Sequence, residues 1–214
     1  MSDQEATTDL PDEYKLYLPP EWVEFDLTAA DAIDQAGSFL QDRLGDEYDN
    51  PASRVFEAML RKALVEAMAG GVVLAGAYAD VDSEGGEPSI LSATATVALR
   101  STPGGMAIGP DLIEQLFAPD GDAAPDRSVA SVDLSVGPVI RIAETRTVQL
   151  EDWPQAGQFF TVQFFIPTPS GTGLAILTFT TPTLPLADGF SDLFDVIAES
   201  FEYVWEPTEG VQGT

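Results

Sequence analysis

The fold turns on the stretch Val55-Phe-Glu-Ala-Met-Leu-Arg-Lys-Ala-Leu-Val-Glu-Ala-Met-Ala-Gly-Gly-Val-Val-Leu-Ala-Gly-Ala-Tyr-Ala-Asp-Val81, because the period of its apolar residues changes at the double glycine. Before it, Val55, Phe56, Met59, Leu60, Ala63, Leu64, Ala67 and Met68 recur at helical spacing, opened by Asn50-Pro51 and stopped by Gly70-Gly71. After it, Val72 to Val81 alternates as a strand does, and that period holds for most of the remaining chain.

Toward the N-terminus, Ala29, Ala32, Ile33, Ala36, Phe39, Leu40 and Leu44 define an earlier helix. Thr28 is its expected N-cap, with Asp31 three residues on, and Gly45 ends it. Tyr14 to Leu27 reads as one bent strand or two short ones around Pro19-Pro20.

Toward the C-terminus, Leu91, Ala93, Ala95, Val97 and Leu99 share one strand face, with Ser92, Thr94, Thr96 and Arg100 on the other. A polar stretch from Thr102 to Arg127 carries a short helical candidate at Pro110–Phe117 and an acidic loop at Pro119–Asp126. Ala130, Val132, Leu134 and Val136 then alternate, and a strand over Val139–Val148 follows Gly137-Pro138. Phe160, Val162, Phe164 and Ile166 form another inward face, and Leu174–Thr180 follows the turn at Thr168–Gly173. Strands joined by such short connections pair antiparallel. The final helix carries an apolar stripe of Leu186, Phe190, Leu193, Phe194, Ile197, Phe201 and Val204, with Pro185 at an early position.

One-sided helices before and after a long antiparallel meander predict an α+β fold, an antiparallel β-sheet flanked by helices in an α/β/α sandwich. The expected organisation is a disordered acidic N-terminus over 1–12, a single α+β domain over 13–205, and a flexible C-terminal tail over 206–214. The opening Leu18-Pro-Pro-Glu-Trp22, the central antiparallel sheet, and Leu177-Thr-Phe-Thr-Thr-Pro182 running into Phe190-Ser-Asp-Leu-Phe-Asp-Val-Ile-Ala-Glu-Ser-Phe201 together resemble the PsbP-like fold group. That group includes a photosystem subunit, a Ran-binding nuclear-import factor and bacterial lipoproteins. The resemblance implies an α/β/α arrangement and binding roles, with no catalytic residue to carry over.

Composition narrows the chemistry. The 214 residues contain no cysteine and no histidine, which excludes thiol nucleophiles, Cys- or His-ligated metals and His-based catalytic triads. Asp and Glu number 36 against 9 Lys and Arg, a formal charge of −27, so nucleic acid and anionic membrane surfaces are repelled. The acidity is explained by a solvated surface, by a high-salt host, or by a basic protein partner. The acidic, polar start lacks the basic and apolar regions of a secretory signal, and no window of about 18 apolar residues spans a membrane; the expected location is cytoplasmic.

Asp80-Val-Asp-Ser-Glu-Gly85 matches the first half of a calcium loop, but Leu91 stands where the bidentate Glu is needed. Asp120, Asp122 and Asp126 lie on a loop in a chain rich in acids, where such a group arises by chance. Gly104-Gly105 and Gly171-Thr-Gly173 lack the following Lys-Ser/Thr of a phosphate loop, and Tyr17 with Glu21 spans a proline pair. No catalytic, cofactor or metal residue is therefore assigned. Arg43, Arg54, Arg61 and Lys62 concentrate cations in the first two helices, where Glu57 and Glu66 stand at pairing distance along the chain; an oligomer contact is the other reading. Phe159 and Phe165 fall opposite Phe160 and Phe164, as core if both sheet faces are covered and as a ligand or partner surface if one is open. The sequence thus points to a non-catalytic, cytoplasmic protein-binding or adaptor domain, with secretion-associated or toxin-neutralising roles as concrete versions. A carboxylate-dependent hydrolase or divalent-metal enzyme and a structural homo-oligomer are the alternatives.

Overall fold

The computed structural model describes residues 13–82, 89–101, 109, 112–113, 127–149 and 156–204. Strands β1 (Glu13–Lys15) and β2 (Val23–Phe25) precede helices α1 (Ala32–Leu44) and α2 (Pro51–Ala69), which are joined by a 3-10 turn at Gly45–Asp49. There follow β3 (Val72–Asp82), β4 (Ser89–Ser101), β5 (Arg127–Leu134), β6 (Gly137–Val148), β7 (Gly157–Pro167) and β8 (Gly173–Thr181). Helix α3 (Ala187–Glu199) and β9 (Glu202–Val204) close the described chain.

Local chemistry places the helix that decides the architecture. Asn50 caps α2 by accepting the Ala52 N–H at 2.9 Å, Pro51 supplies a preset φ in its first turn, and Gly71 (φ +64°) reverses the chain into β3. The amphipathic faces then dictate the layers. Phe56, Leu60 and Leu64 of α2, with Leu40 and Leu44 of α1, bury against Ala75, Ala77 and Ala79 of β3, whose small side chains let the helices approach. On the opposite face Phe190, Phe194 and Ile197 of α3 cover Val97, Val162, Phe164, Leu177 and Phe179. Phe194 stacks on Phe179 at 4.9 Å between ring centroids, and Phe164 meets Phe179 edge-on. The expected α+β sandwich, helices over both faces of an antiparallel sheet, is what the chain forms.

The sheet order is β2-β3-β4-β8-β7-β6-β5, every neighbouring pair antiparallel, and β1 pairs with β9 in a separate ribbon. The expected meander is therefore broken once: β8, not β5, lies beside β4. Burial explains the choice. Strand β8 alternates buried and half-buried residues along its length and belongs in the centre, whereas no residue of β5 is buried and it takes the edge.

Three local expectations are corrected. Asp31, not Thr28, occupies the N-cap of α1, because Asp26 captures both the amide and the hydroxyl of Thr28 through its Oδ1, closing a turn ahead of the helix. The last apolar stripe does not continue along one helix: α3 ends at Glu199, Phe201 is buried beyond it, and Val204 pairs with Glu13 in the β1–β9 ribbon. Leu186 precedes the helix in a 3-10 turn and is exposed. Val136 lies in the β5–β6 turn rather than in a strand. The expectations for 1–12, for 206–214, for the acidic loop at 119–126 and for most of the helical candidate at 110–117 lie outside the described residues. Of that candidate, Leu112 and Ile113 are helical, and Ile113 is buried against Ile140, Ile142 and Phe165.

Candidate functional site

The sheet face beneath α1 and α2 changes character across its width. It is apolar at β3 (Ala75, Ala77, Ala79) and again at Ile140, Ile142, Phe165 and Ile176, but polar between. Register builds the polar zone: Thr94 of β4 stands opposite Thr180 of β8, Thr180 opposite Thr161 of β7, Thr161 opposite Glu144 of β6, and Glu144 opposite Arg127 of β5. A second row runs Thr96, Thr178, Gln163, Ile142. Because residues directly opposite in antiparallel strands point to the same side, these side chains form one band across the sheet.

The band is partly tied down. Thr161 and Thr180 share a hydrogen bond at 3.3 Å between hydroxyls, Gln163 Nε2 donates to Thr178 Oγ1 at 3.1 Å, and Glu144 pairs with Arg146 and, at 4.0 Å, with Arg127. Thr94 is 5 % exposed, yet its hydroxyl has no partner among the described residues. Over the band lies a cleft of about 220 Å³, walled by Met59, Lys62, Ala63 and Glu66 of α2 and by Arg146, Val148 and Phe159. Lys62 and Glu66 form an ion pair at its rim. The cleft offers neutral donors and acceptors beside charges that are already matched, which suits hydrogen-bonded recognition. The strand register that assembles it could not be read from the sequence; the only signal was the run of polar β-branched residues on the second face of three strands.

The cation-rich helices resolve into intramolecular pairing. Glu57 accepts from Arg54, Arg61 and Tyr48, each at 3.0–3.1 Å, and Arg61 also donates to the Ile33 carbonyl of α1, tying the two helices together. Burial would raise the Glu57 pKa, but the hydrogen bonds from Arg61, Arg54 and Tyr48 and the Arg61 charge outweigh it and hold the carboxyl below its ordinary 4.5. Arg43 donates to the Glu21 backbone carbonyl, and Tyr17, which is 64 % exposed, lines a separate open cavity with Tyr14, Glu24 and Leu74. Phe159 and Phe165 are both core, under the helices and against Ile113 respectively.

Of the half calcium loop, Asp80 and Asp82 end β3 and the rest lies outside the described residues, as do Asp120, Asp122 and Asp126. Among the described residues no three carboxylates gather as metal ligands, and no helix is long and apolar enough to cross a membrane. Elsewhere burial, and then the nearby Glu24 charge, push the Tyr14 phenol up to about 12; burial raises Tyr203, whose hydroxyl donates to the Ile166 carbonyl. Compared with known proteins, the chain matches no family model and no curated protein.

Proposed function

We propose that this chain is a non-catalytic, cytoplasmic binding domain that recognises a basic protein partner through its acidic exterior, with the cleft under α2 receiving one of the partner's polar side chains. The observation that carries this reading is the internal use of the cations: of the nine Lys and Arg residues, Arg54, Arg61, Lys62, Arg127, Arg141 and Arg146 are ion-paired within the fold. The exposed carboxylates of Asp31, Asp34 and Asp42 on α1, and of Asp188, Asp192 and Glu199 on α3, face solvent without compensation from these pairs. A field of one sign steers a complementary partner and rejects acidic ones. In the cleft, the Thr94 hydroxyl, the Gln163 carbonyl and the Glu66 carboxylate are acceptors for an arginine or lysine. The PsbP-like resemblance favours the same choice of binding over catalysis.

Affinity capture from an extract of the source cell, followed by calorimetric titration of the purified partner, tests this. The expected partner is basic, its affinity falls more than tenfold between 50 and 500 mM salt, and Gln163→Leu weakens it further. An acidic partner, or an affinity indifferent to salt, overturns the proposal.

A further inference from the structure

A second pocket, of about 240 Å³, lies beside the first turns of α2 and shares no residue with the cleft that holds Thr94. Ala52 and Val55 of α2 stand on one side of it, and Ile90 and Ser92 of β4 on the other. Ser92 is opposite Ala79 of β3, which packs under the helices, and residues directly opposite in antiparallel strands point the same way. The Ser92 side chain is therefore turned toward α2 and into this space.

Ser92 is 1 % exposed, and its Oγ has no hydrogen-bond partner among the described residues. Its backbone, by contrast, is matched. The Ser92 N–H donates to Thr183 Oγ1 at 3.3 Å, its carbonyl accepts from Thr181 Oγ1 at 2.6 Å, and Thr183 Oγ1 donates to the Ile90 carbonyl at 3.3 Å. A hydroxyl taken out of water without a partner is destabilising, and alanine, as at the facing Ala79, avoids that loss. The hydroxyl thus marks a place where something from outside the fold completes the bonding. Gln158, exposed and also on the wall of the pocket, carries a side-chain amide with no partner among the described residues.

We propose that this pocket binds a small neutral ligand, a primary carboxamide on a short branched aliphatic body. The ligand carbonyl accepts from the Ser92 hydroxyl, and its NH₂ donates to Gln158 Oε1 and to the remaining lone pair of Thr183 Oγ1. The aliphatic body lies against Val55, Ile90 and Pro182. An apolar cavity of about 150 Å³ is enough for one benzene molecule, so this space takes such a body and a polar head besides. No charged side chain stands on its wall among the described residues, and a charged head would be buried there without a counter-charge. The start of α2 favours an anion, but Asn50 already occupies the Ala52 N–H, and the charge of −27 repels one.

Isobutyramide is the probe, followed through the backbone amide resonances of the isotope-labelled full chain. The expected result is saturable shifts at Val55, Ile90, Ser92 and Thr183 with a millimolar Kd, the range open to a ligand of so few atoms. Isobutyrate, the same shape with a charge, is expected to bind at least tenfold more weakly. Ser92→Ala is expected to weaken isobutyramide at least fivefold while leaving the Tm of the ligand-free protein unchanged or raised, because it removes only an unpaired hydroxyl. Gln158→Leu, at an exposed position, is expected to weaken it too. Shifts that do not saturate, isobutyrate binding as tightly as isobutyramide, an affinity unchanged in either variant, or a Tm lowered by Ser92→Ala overturns the proposal. None of these outcomes touches the reading of a basic partner, whose cleft has other walls.

Discussion

Replacing Glu57 by glutamine tests the electrostatics that hold the helical hairpin to itself. The Glu57 side chain is 13 % exposed and accepts three hydrogen bonds, two of them from arginines. A hydrogen bond involving a charged group contributes about 1.5–3 kcal/mol. Here the figure is discounted, because the Arg54 and Arg61 side chains are 41 % and 38 % exposed and recover hydration when the carboxylate is lost. The loss at neutral pH is then about 1–3 kcal/mol, a fall in Tm of roughly 3–9 °C for a protein of this size. The pH dependence carries the sharper test. The folded-state pKa of Glu57 lies below its unfolded value, so its contribution is fully present above pH 4.5 and is lost as pH falls through the folded pKa. The gap between the wild-type and Glu57→Gln proteins should therefore be widest near pH 7 and narrow below pH 4. The gap is the right quantity, since the wild type alone also sheds self-repulsion as it approaches its isoelectric point near 4.1. Urea titrations of both proteins at pH 7 and pH 3.5 measure it. An equal gap at the two pH values, or none at pH 7, would show that the Glu57 carboxylate does not stabilise the hairpin through its charge.

Phe194→Ala removes a fully buried ring that stacks on Phe179 and leans on Phe190, and is expected to cost about 3–5 kcal/mol, seen as a lower urea midpoint with an unchanged slope. Asn50→Ala deletes the side-chain acceptor for the Ala52 N–H and should cost about 1 kcal/mol in the same assay, while Asn50→Gly costs a few tenths. Ultraviolet titration of the phenols should show Tyr14 ionising near pH 12 and Tyr203 raised above the ordinary value of 10; an ordinary transition for both would contradict their burial.

The helical hairpin was legible because its signals are local. The Asn50-Pro51 start, the Gly70-Gly71 stop and the four-residue recurrence between them act within one element, and α2 begins and ends where they indicate. The faces of β4 and β7 were legible for the same reason, since alternation alone separates Ala93, Ala95 and Val97 from Ser92, Thr94 and Thr96. Thr28 failed as a cap because a neighbour two residues earlier competed for the same hydroxyl and amide, which a pattern of cap residues does not weigh.

Strand order and the candidate site failed together, and for one reason. Alternation says which face a threonine takes; it does not say which threonine stands beside it. Had β5 followed β4 in the sheet, as an unbroken meander requires, Thr94 would stand beside β5 and not meet Thr180, and the row Arg127, Glu144, Thr161 and Thr180 would not continue into β4. What admits β8 to the centre is the apolar side of the same strand: Ala175, Leu177 and Phe179 must lie under α3, and their burial carries Thr178 and Thr180 to the opposite face beneath α2. The polar cleft is thus positioned by the hydrophobic core on the other side of the sheet. A substitution such as Leu177→Thr, which weakens the claim of β8 to that central place, should disturb the cleft without touching any residue that lines it.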